Sequence, residues 1–183
     1  MAKVSGPLMS MDARGKFGGT LVFSGWKGRP TVRQLVTPAN PKSLNQVGAR
    51  NMVRVTGAVQ HQMNLDTRKR SGETVRDKAE LTTLAPAGQA WNGFLVKSIV
   101  GAGQLNYTAA RAAYAILTAP QKTAWDTAAG TMVPAISAVA QQVTGGAAGT
   151  PITAGEVHYI GQCGLFHAGA AAALPTATPP TYA

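Results

Sequence analysis

The sequence predicts a mainly α fold: a helical body with an N-terminal β-hairpin and extended N- and C-terminal arms. Three observations predict it. Two short β-type runs lie near the N-terminus, Ala-rich helical sequence fills most of residues 42–143, and Gly- or Pro-rich stretches lie at both ends. The predicted parts are therefore residues 1–41 (arm and hairpin), 42–143 (helical body) and 144–183 (Gly/Ala/Pro-rich C-terminal segment).

The hairpin is predicted from residues 20–24 and 31–36, which have β-type composition and flank the turn-rich residues 25–30. Residues 1–19 are Gly-rich and are expected to form an extended arm. Pro38 and Pro41 then end the second strand, because proline cannot continue a ladder. An isolated hairpin is marginal in water, so it must pack on the rest of the chain or on a neighbour.

The body begins with a helix that Ser43 caps and that runs to about Leu65. Residues 66–80 are rich in charge and are expected to form a loop or a solvated turn. From Leu84 onward the pattern is helical, with an interruption at residues 101–103.

A faint repeat lies in the body. Residues 85–92 and 119–126 both read Ala-Pro, three residues, Ala-Trp, then Asn or Asp. One interpretation is two helices that each start at a proline, with Trp91 and Trp125 as core anchors. The other is a duplicated helical unit. The first is favoured, because two copies are too few for a solenoid.

The C-terminal segment is expected to be less regular than the body. Residues 144–151 predict a flexible break, and residues 156–160 a short helix or strand. Residues 174–183 hold three prolines and predict an extended tail that lies on another surface.

The net charge of +10 is unevenly placed. Residues 1–80 hold 14 Lys/Arg against 5 Asp/Glu, and residues 81–183 hold 3 against 2. The basic half should seek nucleic acid or an acidic protein face. The predicted partner-binding residues lie at the hairpin tip and on one face of the first helix: Trp26, Lys27, Arg29, Arg33, Arg50 and Arg54. Pairing with an acidic neighbouring subunit is favoured, and phosphate contact with Trp26 stacking on bases is the alternative.

Catalytic, cofactor and metal sites are not predicted. Cys163 lies between His158 and His167, but zinc needs three or four ligands and no fourth candidate lies nearby. A buried, inert cysteine is therefore expected, and a hydrolase that uses Cys163 is the weakest functional hypothesis. The glycine- and lysine-containing turns do not have the spacing of a phosphate-binding loop.

Composition also bears on location and assembly. The single cysteine excludes an internal disulfide, no run is apolar enough to span a membrane, and the N-terminus lacks the apolar run of a signal peptide. A reducing cytoplasm is therefore expected as the place of synthesis. The apolar residues are largely Ala, which buries little area, so burial against other copies is expected to add stability and a homo-oligomer is predicted.

One run of motifs resembles a family of small tailed-bacteriophage virion structural proteins. The motifs are Gly18-Gly19-Thr20, Trp26-Lys27-Gly28-Arg29, Val32-Arg33, Pro38-Ala39-Asn40-Pro41, Gln46 and Arg50, with Leu117-Thr118, Gln121 and Ala124-Trp125 later in the chain. The resemblance implies a place in the virion, assembled in the host cytoplasm, and brings no catalytic residues.

The expected function is a non-enzymatic subunit that bridges other virion proteins (capsid, portal or adaptor, or tail) at the capsid or at the head–tail junction or tail. The alternative is a basic nucleic-acid-binding protein associated with the packaged genome.

Overall fold

The computed structural model describes residues 2–3, 15–17, 20–27, 29–36, 42–143 and 148–183. The chain divides into two compact units, Met1–Pro41 and Lys42–Ala183. The described part is mostly helical with a small N-terminal antiparallel sheet, which confirms the predicted fold class. The second unit includes the described residues of 144–183, so the predicted C-terminal segment belongs to the same compact unit as the body.

The first unit is a four-stranded antiparallel sheet. Its strands are β1 (Ala2–Lys3), β2 (Gly15–Phe17), β3 (Leu21–Trp26) and β4 (Arg29–Gln34), in the order β1-β4-β3-β2. Strands β3 and β4 form the predicted hairpin, but its turn is tighter than expected. Trp26 pairs with Arg29, which leaves only residues 27–28 between the strands. Lys27 has a φ of 49°, the left-handed conformation that two-residue hairpin turns require.

Two short strands, which the sequence did not predict, lie within the predicted extended arm of residues 1–19. Strand β1 pairs with β4, and β2 pairs with β3, so the hairpin gains a strand on each edge. Two- and three-residue strands are too short to show an alternating pattern in the sequence. They form because pairing satisfies backbone groups on the hairpin edges. The other residues of the predicted arm, and the predicted break at residues 37–41, lie outside the described residues.

The second unit contains α1 (Leu44–Leu65), α2 (Asp77–Leu84), α3 (Trp91–Val100), α4 (Leu105–Ile116), α5 (Ala119–Thr131) and α6 (Ala154–His167). Helix α1 begins after Ser43 and ends at Leu65, as predicted, but the Ser43 side chain makes no capping hydrogen bond. Gly101, with a φ of 68°, ends α3 at the predicted interruption. Strands β5 (Val139–Gln142) and β6 (Ala148–Ile152) form a small antiparallel sheet. Strand β6 occupies residues 148–151 of the predicted flexible break, so that prediction was wrong there, and residues 144–147 lie outside the described residues.

The two copies of the repeat do not form equivalent helices. Helix α5 starts at the second copy, with Pro120 in its first turn and the Thr118 N–H donating to Gln121 Oε1 at 2.8 Å. In the first copy, Pro86 lies in a turn and α3 starts only at Trp91. Gly88, the counterpart of Lys122, has a φ of 82°, which breaks the helix there. The prediction of a Pro-started first helix was therefore wrong.

Helix α6 is the centre of the core, where only a short helix or strand was expected. It packs against α1, α3, α4 and α5, and it is buried on every side. Its glycines allow this close approach: a Cβ at Gly155 would lie 2.7 Å from the backbone nitrogen of Asp126. Thr153 caps the helix by accepting the Glu156 N–H at 3.2 Å. Glycine lowers helix propensity locally, but tight packing overrides that cost.

The C-terminal tail is extended, but it lies on its own unit. Lys69 and Ala183 exchange two backbone hydrogen bonds of 2.9 Å, and the Ser71 N–H donates to Thr181 O at 2.8 Å. The indole Nε1 of Trp125 donates to Thr176 O at 3.3 Å. The expectation that the tail covers another surface was therefore wrong for residues 174–183. Contacts more than a hundred residues apart in sequence leave no local pattern to read.

Candidate partner-binding surface

Among the side chains that the structure describes in the N-terminal sheet, three cations lie on one face. The register places Lys16 and Arg33 on either side of Val22, and directly opposed residues in antiparallel strands share a face. Ser24 and Thr31 also share this face, and their hydroxyls are 3.0 Å apart. Because side chains alternate along a strand, Arg29 lies on the same face as Arg33. We name Lys16, Arg29 and Arg33 the cationic face.

The opposite face of this sheet is mainly apolar, with Gln34 opposite Leu21. It carries Leu21, Phe23 and Val32, which are half-buried. The three residues of the cationic face are exposed, and none of the described side chains of the sheet is fully buried. A binding partner could therefore use the apolar face for burial and the opposite face for charge.

The predicted partner-binding residues are thus distributed over both units. Lys27 is exposed in the hairpin turn, and Arg29 and Arg33 are exposed on β4. For Trp26 the structure describes only the backbone, which pairs with Arg29. The predicted set also names Arg50 and Arg54, which lie on α1 in the second unit.

Arg54 has a structural role within its own unit. Its Nη1 donates to Ala140 O at 3.0 Å, on the edge of β5. Asn51, one turn earlier, donates from Nδ2 to Gln142 O and accepts from the Gln142 N–H, both at 3.0 Å. Side chains of α1 therefore take the place of a neighbouring strand along β5. This role of Arg54 could not be predicted from the sequence, because β5 has no recognisable strand pattern.

Cys163 is a buried, free thiol in α6, and burial raises its pKa to about 12. At neutral pH it is protonated, so it is a poor nucleophile and a poor metal ligand. Burial lowers the pKa of His158 to about 4, so that imidazole is neutral. Among the described residues, no cluster of three or more His, Cys, Asp or Glu side chains could hold a metal ion.

A group of buried charges lies in residues 66–80, which were expected to form a loop or a solvated turn. Asp66 is 5% exposed and accepts from Gln62, from the Arg68 backbone and from the Arg68 guanidinium at 2.9 to 3.1 Å. Burial alone would raise its pKa, but the hydrogen bonds from Arg68 outweigh burial and lower it. The carboxylate is thus ionised and joins the end of α1 to the segment after α5, where the Val133 N–H lies 3.4 Å away.

Arg70 is the second centre of buried charge, only 7% exposed. Its Nη2 lies 3.3 Å from Glu73, 3.8 Å from Asp77 and 3.6 Å from Glu80. The same nitrogen donates to Ala170 O. Burial raises the pKa of Asp77, and the charge of Arg70 opposes that rise. One guanidinium therefore holds three carboxylates together.

Tyr182 in the C-terminal tail completes this cluster. Its hydroxyl donates to Asp77 Oδ2 at 2.8 Å and accepts from Gln162 Nε2 at 2.8 Å. Arg70, Glu73, Asp77 and Glu80 follow a spacing of three and four residues, which in a helix would place the side chains on one side, although the chain becomes helical only at Asp77. That spacing was the available signal in the sequence. The contribution of Tyr182 had none, because it comes from the far end of the chain.

Within the described part of the chain, no helix is both long and apolar enough to cross a membrane. Comparison with known proteins found no matching family model, no matching curated protein and no matching solved structure. The resemblance to phage virion proteins therefore stays a prediction from sequence motifs.

Proposed function

We propose that this chain is a non-enzymatic structural subunit of a tailed-phage virion. In this role it bridges other particle proteins at the capsid or at the head–tail junction or tail, and it assembles with copies of itself. The observation that carries the proposal is the N-terminal sheet. It is a compact unit of its own, yet it buries none of its described side chains completely. A small sheet whose apolar face is only partly covered gains stability when another polypeptide covers the rest.

The energetic gain from such a cover is modest for each side chain but adds up over the face. Full burial of a Leu, Phe or Val side chain stabilises by about 1.5–3 kcal/mol relative to full exposure. Leu21, Phe23 and Val32 are already partly buried, so each retains at most about a third of that amount for a partner. On the opposite face, Arg29 and Arg33 can select an acidic partner, since a desolvated cross-subunit ion pair costs about 2–5 kcal/mol when one member is removed.

A second function, binding of the packaged nucleic acid, is favoured by the same cationic face. Lys16, Arg29 and Arg33 are exposed together on one side of a sheet, and phosphate groups would be attracted to that side. Phosphate contact differs from protein docking in one measurable way. Affinity for nucleic acid falls steeply with salt concentration, because bound counterions are released.

The experiment is the double charge reversal Arg29→Glu with Arg33→Glu. Circular dichroism of the isolated protein should be unchanged, because exposed charges contribute little to its own stability. Incorporation into purified virions, measured by mass spectrometry, should be lost. The matched control is Lys69→Glu with Lys97→Glu, which changes the net charge equally at exposed positions of the second unit and should leave incorporation intact.

Normal incorporation of the sheet variant would contradict the bridging role of this face. If that variant also loses salt-dependent DNA binding, the nucleic-acid function replaces the assembly function. The copy number of the wild-type chain in each particle then separates a capsid position, with many copies, from a junction or tail position, with few.

A further inference from the structure

Helix α4 carries an apolar stripe on the side that faces away from the core. The helix packs against α3 and α6, and its buried residues are Tyr107, Ala110 and Tyr114. The stripe lies on the opposite side, and we name it the α4 stripe: Leu105, Ala109, Ala112 and Ile116. Leu105 is 67% exposed and Ile116 is 84% exposed. A spacing of four, three and four residues is typical of a helix that pairs with another helix.

The outward side of α4 carries no charged side chain. Its exposed residues are Leu105, Thr108, Ala109, Ala112, Ala115 and Ile116. The Thr108 hydroxyl donates within the helix, to Gln104 O at 2.8 Å. Arg111 is the one charged residue of α4, and its Nε donates to Glu156 Oε1 at 2.6 Å. A helix face that meets only water normally carries polar and charged side chains, so this face is suited to an apolar partner.

The α4 stripe is complementary to itself. Its midpoint falls between residues 110 and 111, and residues 105 and 116 are equally far from it, as are residues 109 and 112. When two copies of α4 pair antiparallel around a two-fold axis, Leu105 therefore meets the partner's Ile116. The alanines meet at the centre, where small side chains let the helix axes come close. The larger side chains fill the wider gap at both ends, where crossing helices diverge.

The charge of the whole chain favours a second copy on this uncharged face. Two copies with a net charge of +10 repel each other, so self-association needs a face that brings no like charges together. The cation near the C-terminal end of α4 is already engaged, since Lys122 Nζ donates to Ala115 O at 2.9 Å. The α4 stripe also offers no charge that would select an acidic or a basic partner. Pairing through it places uncharged side chains against uncharged side chains.

We propose that two copies of this chain pair through α4, antiparallel and around a two-fold axis, with Leu105 against the partner's Ile116 and the alanines at the crossing point. The inference deepens the proposed function, because it names the surface of self-assembly. It rests on that function only for the expectation that the chain associates with itself. One helix pair buries less than the about 1,600 Å² of a standard interface, so we expect a weak dimer, with a Kd on the order of 10–100 μM.

Sedimentation equilibrium of the full-length chain, over a concentration series around that Kd, tests the pairing. Wild type should fit a monomer–dimer equilibrium. Ile116→Lys should weaken dimerisation at least tenfold, because it would bury a cation against the partner's Leu105. The matched control is Val53→Lys, which adds the same charge at an aliphatic residue of α1 that is 64% exposed. This control should dimerise as the wild type does.

Thermal unfolding followed by circular dichroism separates pairing from folding. Both variants should melt as the wild type does at concentrations well below the Kd, because both replaced side chains are exposed. A lower melting temperature for Ile116→Lys alone would show that its side chain is covered within its own chain, which would contradict the proposal.

Disulfide trapping tests the antiparallel register. Leu105→Cys chains are mixed with Ile116→Cys chains and oxidised with copper–phenanthroline. In the antiparallel pair, the two copies of residue 105 lie about 16 Å apart along the helix, at a rise of about 1.5 Å per residue. Links between unlike chains should therefore dominate, since a disulfide needs close Cα atoms. Cys163 should not react, because it is buried and its pKa is raised to about 12.

A monomeric wild type at every concentration would overturn the pairing, and so would equal dimerisation of Ile116→Lys and Val53→Lys. Links mainly between like chains would overturn the antiparallel register. If the wild type is monomeric and Ile116→Lys is lost from purified virions, the α4 stripe binds another particle protein and the second copy is wrong. A dimer that is absent from particles would contradict the proposed function and keep the pairing, whereas a monomer that is incorporated would contradict the pairing alone.

Discussion

Arginine side chains have opposite roles in the N-terminal sheet and in the helical unit. On the sheet, Arg29 and Arg33 are exposed, and only one acidic residue occurs in residues 1–41. In the helical unit, Arg70 is buried among three carboxylates and Arg68 holds Asp66. Both regions are basic in sequence. Exposed charge contributes little to folding and is available to a partner, whereas buried charge holds the fold together.

Apolar side chains show the same contrast. Trp125 is completely buried, with the rings of Tyr159 and His158 at 5.0 and 5.2 Å between centroids. Phe23, the aromatic of the sheet's apolar face, is only half-buried. The helical unit thus completes its own core, and the sheet leaves part of its burial to be made elsewhere.

The largest expected loss of stability follows from removing the Trp125 side chain. Trp125→Ala should cost about 3–5 kcal/mol of unfolding free energy, because it leaves a cavity and removes the bond to Thr176 O. Phe23→Ala should cost much less in the isolated chain, since that ring is not fully buried. Trp91, which is half-buried, should lie between the two. Urea unfolding followed at 222 nm measures all three, and equal losses would contradict the comparison.

The next effect concerns the buried cation. Arg70→Met should cost about 3 kcal/mol, because it leaves three carboxylates without their cation. The loss should lie at the lower end of the range for buried pairs, since burial already raises the pKa of Asp77 and Glu80 and these groups can protonate. Arg33→Met on the sheet is the control, with an expected change within about 0.5 kcal/mol. A similar stability of both variants in chemical denaturation would show that the Arg70 cluster does not hold the fold.

The smallest effect is a pH dependence confined to the helical unit, since residues 1–41 contain no histidine. The pKa of His158 falls from 6.5 to about 4 on folding, so only the unfolded chain binds a proton between these values. Stability is therefore full above pH 6.5 and is lost as the pH falls toward 4. The loss should be about 2 kcal/mol between pH 6 and pH 4.5.

His158→Phe keeps a ring beside Trp125 and removes the titration. Unfolding curves at a series of pH values should show a shallower pH dependence for this variant than for the wild type. Parallel curves would mean that His158 is accessible to protons in the folded protein.

Local sequence was enough for the elements whose causes are local. The β-type runs and the turn at Lys27 produce the hairpin, and Ser43 marks the start of α1. The candidate surface on β4 could also be predicted, because Arg29 and Arg33 lie four residues apart on one strand and therefore share a face. The internal use of Arg54 could not, since its partner Ala140 lies 86 residues away on an unrecognised strand.

The sequence by itself determined the helical class, the hairpin and the basic character of residues 1–80, because propensity, turn chemistry and charge are properties of short segments. Only the tertiary structure decided that α6 is the centre of the core and that Tyr182 closes the Arg70 cluster. The glycines of α6 lower its local helix propensity. They stabilise the fold only because they have no side chain where other helices pack closely against α6. Likewise, the sequence predicts that the charges in residues 66–80 are solvated. They are buried because the C-terminal tail and α6, which are distant in sequence, exclude water from them.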